Sequence, residues 1–181
     1  MFQRMNQPQL RTSTGEQSSL FVTPELFERI VASERNIIGI ETRRSDEVLE
    51  QFRRFAVKAS RAIYYWEDGL GLVSLREETV IVPGTSRLIE ALRHIHTTLH
   101  FGVYMFRGLP ESLRFSAMRG QCIAAIRQFA RGRWQDQNAR KLVLLDLKTG
   151  LGEGLDQHLE RIVDAPDQVK RIRLRDGRWI S

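Results

Sequence analysis

Four short runs of this chain are apolar without alternation: Asn36–Ile40, Ala62–Trp66, Gly102–Phe106 and Lys141–Leu145. A strand with one face in water alternates apolar and polar residues; a strand covered on both faces does not. Between these runs lie segments whose apolar residues recur at three- and four-residue spacing. They are Val48, Leu49, Phe52, Phe55, Ala56 and Ala59, then Leu88, Ala91, Leu92, Ile95 and Leu99, then Phe115, Met118, Cys122, Ile126 and Phe129. Strands joined by helices of ten or more residues are parallel, because a crossover must carry the chain back to the starting edge. The pattern predicts an α/β protein, a three-layer αβα sandwich around a mainly parallel sheet.

Local signals sharpen the outline. Thr23-Pro24-Glu25 opens a first helix, with Thr23 as cap, Pro24 preset for the first helical position and Glu25 suited to the positive end. It stops near Ser33. Ser45 is expected to cap the second helix. Residues 70–82 hold two β-prone pieces, Leu72-Val73 and Val80-Ile81-Val82, expected as a loop or small hairpin. Pro110-Glu111 opens one long helix, and Leu155–Val163 is expected to form another. Residues 1–22 are polar and read as a flexible N-terminal tail before a single domain spanning 23–181. That domain is expected to close on a basic edge strand, Val169–Ile180, with Ile172 and Leu174 on one face and Arg171, Arg173 and Arg175 on the other.

With 181 residues and 41% apolar content, the chain has enough core to fold without staples. Its one cysteine, Cys122, excludes an intrachain disulfide and lies in an apolar helical stripe, where a buried inert thiol is expected. No stretch approaches the roughly 18 apolar residues of a membrane span, and the N-terminus lacks an apolar signal core. A cytoplasmic protein is expected. The net charge of +6 calls for an acidic partner without identifying it.

Strand and helix follow the rhythm of P-loop nucleotide-binding proteins, yet G-x-x-x-x-G-K-[ST] is missing. The strand Val103–Phe106 runs into Arg107-Gly108, where an NTPase would place a magnesium-holding acid. Other sites fall short as well. Gly84-Thr85-Ser86 before a helix can present N–H groups to an anion, but it also makes an ordinary turn. Gly150, Gly152 and Gly154 have the wrong spacing for a dinucleotide loop and suit a flexible turn. His96 and His100 stand four apart, but the helix must end near Leu99, so no metal is expected. Asp146, at a strand end, suits a loop anchor, and no G-x-S-x-G marks a hydrolytic nucleophile.

Several of these runs resemble a known family segment: Arg35-Asn36-Ile37-Ile38-Gly39-Ile40-Glu41-Thr42 with Asp46-Glu47, Tyr65-Trp66 with Gly69-Leu70, Val103–Phe106 with Leu109-Pro110, and Lys141–Leu145. Over roughly residues 24–166 the chain resembles the degenerate RecA-like N-terminal domain of Ycf46-type AAA ATPases. The resemblance implies a P-loop NTPase-like (RecA/AAA-like) fold without Walker motifs and an accessory role. In the family a complete AAA module follows and supplies those motifs. None is seen before Ser181, so no catalytic residue and no cofactor are carried over.

The expected function is therefore that of a non-catalytic interaction or regulatory protein, not an enzyme. Its expected partner is a protein, either an AAA-type ATPase or a second copy. Candidate contact residues are Lys170, Arg171, Arg173, Arg175 and Arg178 near Trp179, with Arg131, Arg133 and Trp134 at the end of the long helix. Arg127, Arg140 and Lys141 lie near the second group. Cations among aromatic rings also suit phosphates and bases, which makes a nucleic-acid-binding module the alternative.

Overall fold

The computed structural model describes residues 24–133, 139–147 and 150–163, with the backbone of Ile172–Arg173 and Trp179–Ile180. Five strands run parallel: β1 (Ile37–Glu41), β2 (Ile63–Glu67), β4 (Gly102–Arg107), β5 (Arg140–Leu145) and β6 (Leu159–Val163). A sixth, β3 (Gly71–Ser74), pairs antiparallel with β2, and the sheet order is β3-β2-β4-β5-β1-β6. The chain leaves β1, lays down β2 three positions away, fills the two-strand gap with β4 and β5, then passes over β1 to β6.

Alternate residues of each central strand enter two different cores, which is why the strands read as unbroken apolar runs. Ile38, Ile40, Val103, Met105, Val143 and Leu145 face α1 (Pro24–Ala32) and α2 (Ser45–Ala59) through Phe27, Ile30, Val48, Phe52 and Ala56. Ile37, Tyr104, Phe106, Leu142 and Leu144 face α3 (Leu88–Thr97), α4 (Leu109–Phe115) and α5 (Arg119–Arg131). The architecture is the three-layer, RecA-like sandwich expected. Helix α2 shows how such an element is specified: Val48, Phe52 and Ala56 are buried one turn apart, while Glu50 pairs with Arg53 and Arg54 on the face toward water.

Several expectations need correction. Leu155–Val163 is no helix: a single 3-10 turn, Asp156–His158, leads into β6. Leu155, Leu159 and Ile162 mimic helical spacing, but the ladder from Ile37↔Leu159 to Glu41↔Val163 decides the backbone. The long helix is two helices, because the Ser116 hydroxyl accepts the Met118 N–H at 3.2 Å and competes with the helical bond. The break turns Phe115 outward, 81% exposed, and the end of α3 at Thr97 leaves Leu99 exposed as well. Ser45 is the first residue of α2 and makes no capping bond; Thr42 Oγ1 accepts the Arg44 N–H instead, at 3.0 Å. The proposed cap Thr23 and the tail 1–22 lie outside the described residues.

The expected edge strand at 169–180 also differs. Its described residues form a separate two-stranded ladder, β7 (Ile172–Arg173) against β8 (Trp179–Ile180), antiparallel, with Ile172↔Ile180 and Arg173↔Trp179. The described residues are therefore two paired strands of their own small sheet, not one strand of the main sheet.

Tyr104 ties packing to pH. Its ring stacks on Tyr64 at 5.2 Å and lies back over Gly102, where an added Cβ would sit 2.7 Å from the ring. Burial pushes its pKa up to about 12. An unfolded tyrosine ionises near 10, so between pH 10 and 12 the unfolded state binds fewer protons and stability falls as pH rises. Two pH units correspond to about 2–3 kcal/mol. Urea unfolding at pH 9 and pH 11 should show about half of this loss, about 1.4 kcal/mol, in the native chain and a smaller one in Tyr104→Phe; equal losses would refute the assignment.

Candidate interaction surface

In open α/β sheets ligands bind outside the carboxyl ends of the strands. Here that edge begins with the connection from β1 to α2, which is only Thr42-Arg43-Arg44. The Val48 N–H already bonds the Arg44 carbonyl at 3.0 Å, so helix geometry starts at once. Asp46 and Glu47 fill the first turn of α2, and Glu47 pairs with Arg44 at 3.3 Å. Arg107, at the end of β4, donates through both terminal nitrogens to the Asp46 carboxylate. The positive end of α2 therefore meets the chain's own carboxylates, and Arg107 is drawn to them. Both partners are exposed, so the pair contributes less than about 1 kcal/mol. Asp146 follows β5 in the left-handed region, φ 60°, which a short polar side chain tolerates.

The two glycine-bearing turns are likewise engaged internally. Thr85 is buried; its hydroxyl donates to the Val82 carbonyl at 2.7 Å and accepts the Leu72 N–H at 2.9 Å. The Thr85 carbonyl accepts Trp66 Nε1–H at 3.0 Å. Gly71, at φ +113°, allows this approach, since a Cβ there would lie 2.7 Å from Thr85 Oγ1. Gly84-Thr85-Ser86 is thus the joint between β2, β3 and α3. In the second turn, Gly152, Glu153 and Gly154 are left-handed, and the Asp156 carboxylate accepts the N–H groups of Leu151 and Gly152 at 2.9 and 3.1 Å. An anion does sit in that concavity, and it belongs to the chain.

The basic residues divide into two groups. Arg140 and Lys141 are buried at the start of β5, not on a surface. Arg140 aims one nitrogen at the carbonyls of Ile95, His96 and Thr98, the first two at 3.1 and 2.6 Å, which closes the C-terminus of α3. Lys141 Nζ donates to Ser33 and Arg35 carbonyls at 2.6 and 2.9 Å, just past α1. Asn36, before β1, does the same for α5 through the carbonyls of Phe129, Ala130 and Gly132. Helix C-termini carry orphan carbonyls and partial negative charge, so each takes a buried donor from the amino end of a strand. Burial lowers the pKa of both cations. The missed signal was their position: they open a run with no alternation, and such a strand is covered on both faces.

Arg127 and Arg131 do line an open cavity of about 410 Å³ with His96 and Gln128, and Arg133 is exposed beside it. Arg127 also donates to the Glu153 carbonyl at 2.8 Å. His100 lies beyond the end of α3, so the two histidines do not share a helix face. Cys122 is buried, and burial raises its thiol pKa. Trp134, Lys170, Arg171, Arg175 and Arg178 lie outside the described residues, and of Arg173 only the backbone is described. Among the described residues no helix is long and apolar enough to cross a membrane.

A second surface was not anticipated. Between the carboxyl end of β2, the start of α3 and the break after α4 lies a groove of about 550 Å³. Trp66, Leu88 and Ile89 form its buried floor and Met118 a wall, with Phe115 projecting at its rim. A comparison with curated proteins finds no match. A family model does match, over residues 23–163, and its description is SpoVK-like AAA ATPase, N-terminal domain. The match spans the whole six-stranded sheet and both helical layers, so the chain belongs to the family of SpoVK-like AAA ATPase N-terminal domains.

Proposed function

We propose that this chain is a non-catalytic interaction domain, an AAA-related scaffold used for docking a protein, either an AAA-type ATPase or a second copy. The observation that carries this reading is the three-residue connection between β1 and α2. A phosphate-cradling loop needs an eight-residue Gly-rich stretch whose N–H groups converge on the ligand. Thr42-Arg43-Arg44 is too short for that, and the Asp46 and Glu47 carboxylates already engage Arg107 and Arg44, the cations placed to meet a phosphate. The other two glycine-bearing turns spend their donors and hydroxyls on internal bonds. For the nucleic-acid alternative, Arg140 and Lys141 are withdrawn inside, which leaves Arg127, Arg131 and Arg133 as its described basic surface.

Calorimetry with ATP and magnesium at millimolar concentration is the test. No heat of binding is expected. Saturable binding in the micromolar range would replace the docking reading with that of a nucleotide sensor.

A further inference from the structure

We infer that two copies of this chain associate about a two-fold axis through the groove beside β2, Phe115 of each copy seated in the recess of the other. The inference rests on the docking reading above and names its partner. A two-fold interface uses the same patch on both subunits, so that patch must carry a projection and a recess that receives it. Phe115 is the most exposed large apolar side chain among the described residues, at 81%. It stands on the rim of a recess floored by Trp66, Leu88 and Ile89. A ring placed there leaves water for an aromatic and aliphatic floor, the kind of anchor that dominates protein interfaces.

Charge selects a second copy over an unrelated apolar segment. The guanidinium of Arg114 lies 5.9 Å from the centre of the Phe115 ring and travels with it. The same groove has exposed carboxylates at Asp68 and Glu111 and one exposed cation, Arg87, which pairs with its own Glu90 at 3.9 Å. When each ring enters the opposite recess, each Arg114 is brought to Asp68 and Glu111 of the other copy. Opposite signs across the axis set register and reject partners that lack them.

Sedimentation velocity on the full chain from about 1 to 200 µM should show a monomer–dimer equilibrium. Phe115→Asp, at an exposed site where folding is preserved, should weaken dimerisation at least tenfold. Arg114→Glu alone should weaken it too, as should the double variant Asp68→Arg with Glu111→Arg. Mixing those two chains should restore a heterodimer, because both sets of charges are then opposite again. A native chain monomeric at 200 µM overturns the inference, as does a dimer unaffected by Phe115→Asp or a mixture that stays monomeric. None of these results touches nucleotide binding, so the docking reading stands or falls separately on the calorimetry.

Discussion

Replacing Arg140 by methionine is expected to destabilise the protein by about 3 kcal/mol. Methionine fills similar space but donates nothing, so the carbonyls of Ile95, His96 and Thr98 lose a charged donor at the end of α3. A buried acceptor left without a partner costs about 1–3 kcal/mol, and bonds to charged groups are the strong ones. Relief of the desolvated cation offsets part of the loss, and half-buried Thr98 can recruit water, which keeps the figure near 3 rather than the sum of three bonds. At about 2–4 °C per kcal/mol in a domain of this size, the melting temperature should fall by about 6–12 °C. Urea unfolding is the measure. A change below about 0.5 kcal/mol would mean that the guanidinium is not holding the helix end. If Arg140 instead contacted an acidic partner, the substitution would alter binding and leave stability alone.

That contrast shows why part of this molecule was legible and part was not. The strands at 37–41, 63–67, 102–107 and 140–145 were visible because burial on both faces leaves a local mark, an apolar run without alternation. The helices opposite them were visible through spacing. β6 was hidden, since Leu155, Leu159 and Ile162 fit a helix until β1 offers residues 159–163 a ladder some 120 residues away in sequence. Arg140 and Lys141 were misplaced for a related reason. Residue type suggests a surface, while the helix ends that need them come from chain segments 42–45 and 106–108 residues away. The break after Phe115 rests on one hydroxyl, Ser116, and without it the groove and its projecting ring could not be foreseen. The lack of a phosphate loop, by contrast, was a purely local fact; the short turn at Thr42–Arg44 supplies its geometric form.

Thr85→Val should cost about 2–3 kcal/mol although the two side chains have nearly the same shape. Valine cannot accept the Leu72 N–H or donate to the Val82 carbonyl, and both groups lie where β3 meets the segment that covers its outer edge. The Trp66 Nε1–H bond goes to the Thr85 backbone and survives, so the floor of the groove should keep its indole in place. Two measurements separate this from a global loss of packing. Thermal unfolding should shift downward by several degrees, and amide exchange at Leu72 should accelerate more than at Val103 or Val143, which lie in the central strands. Were Gly84-Thr85-Ser86 a phosphate loop, its threonine would face the ligand; the valine variant would then fold as stably as the native chain and lose only anion affinity. A stability change within about 0.5 kcal/mol, the usual range for an uninvolved surface position, would favour that view over the joint described here.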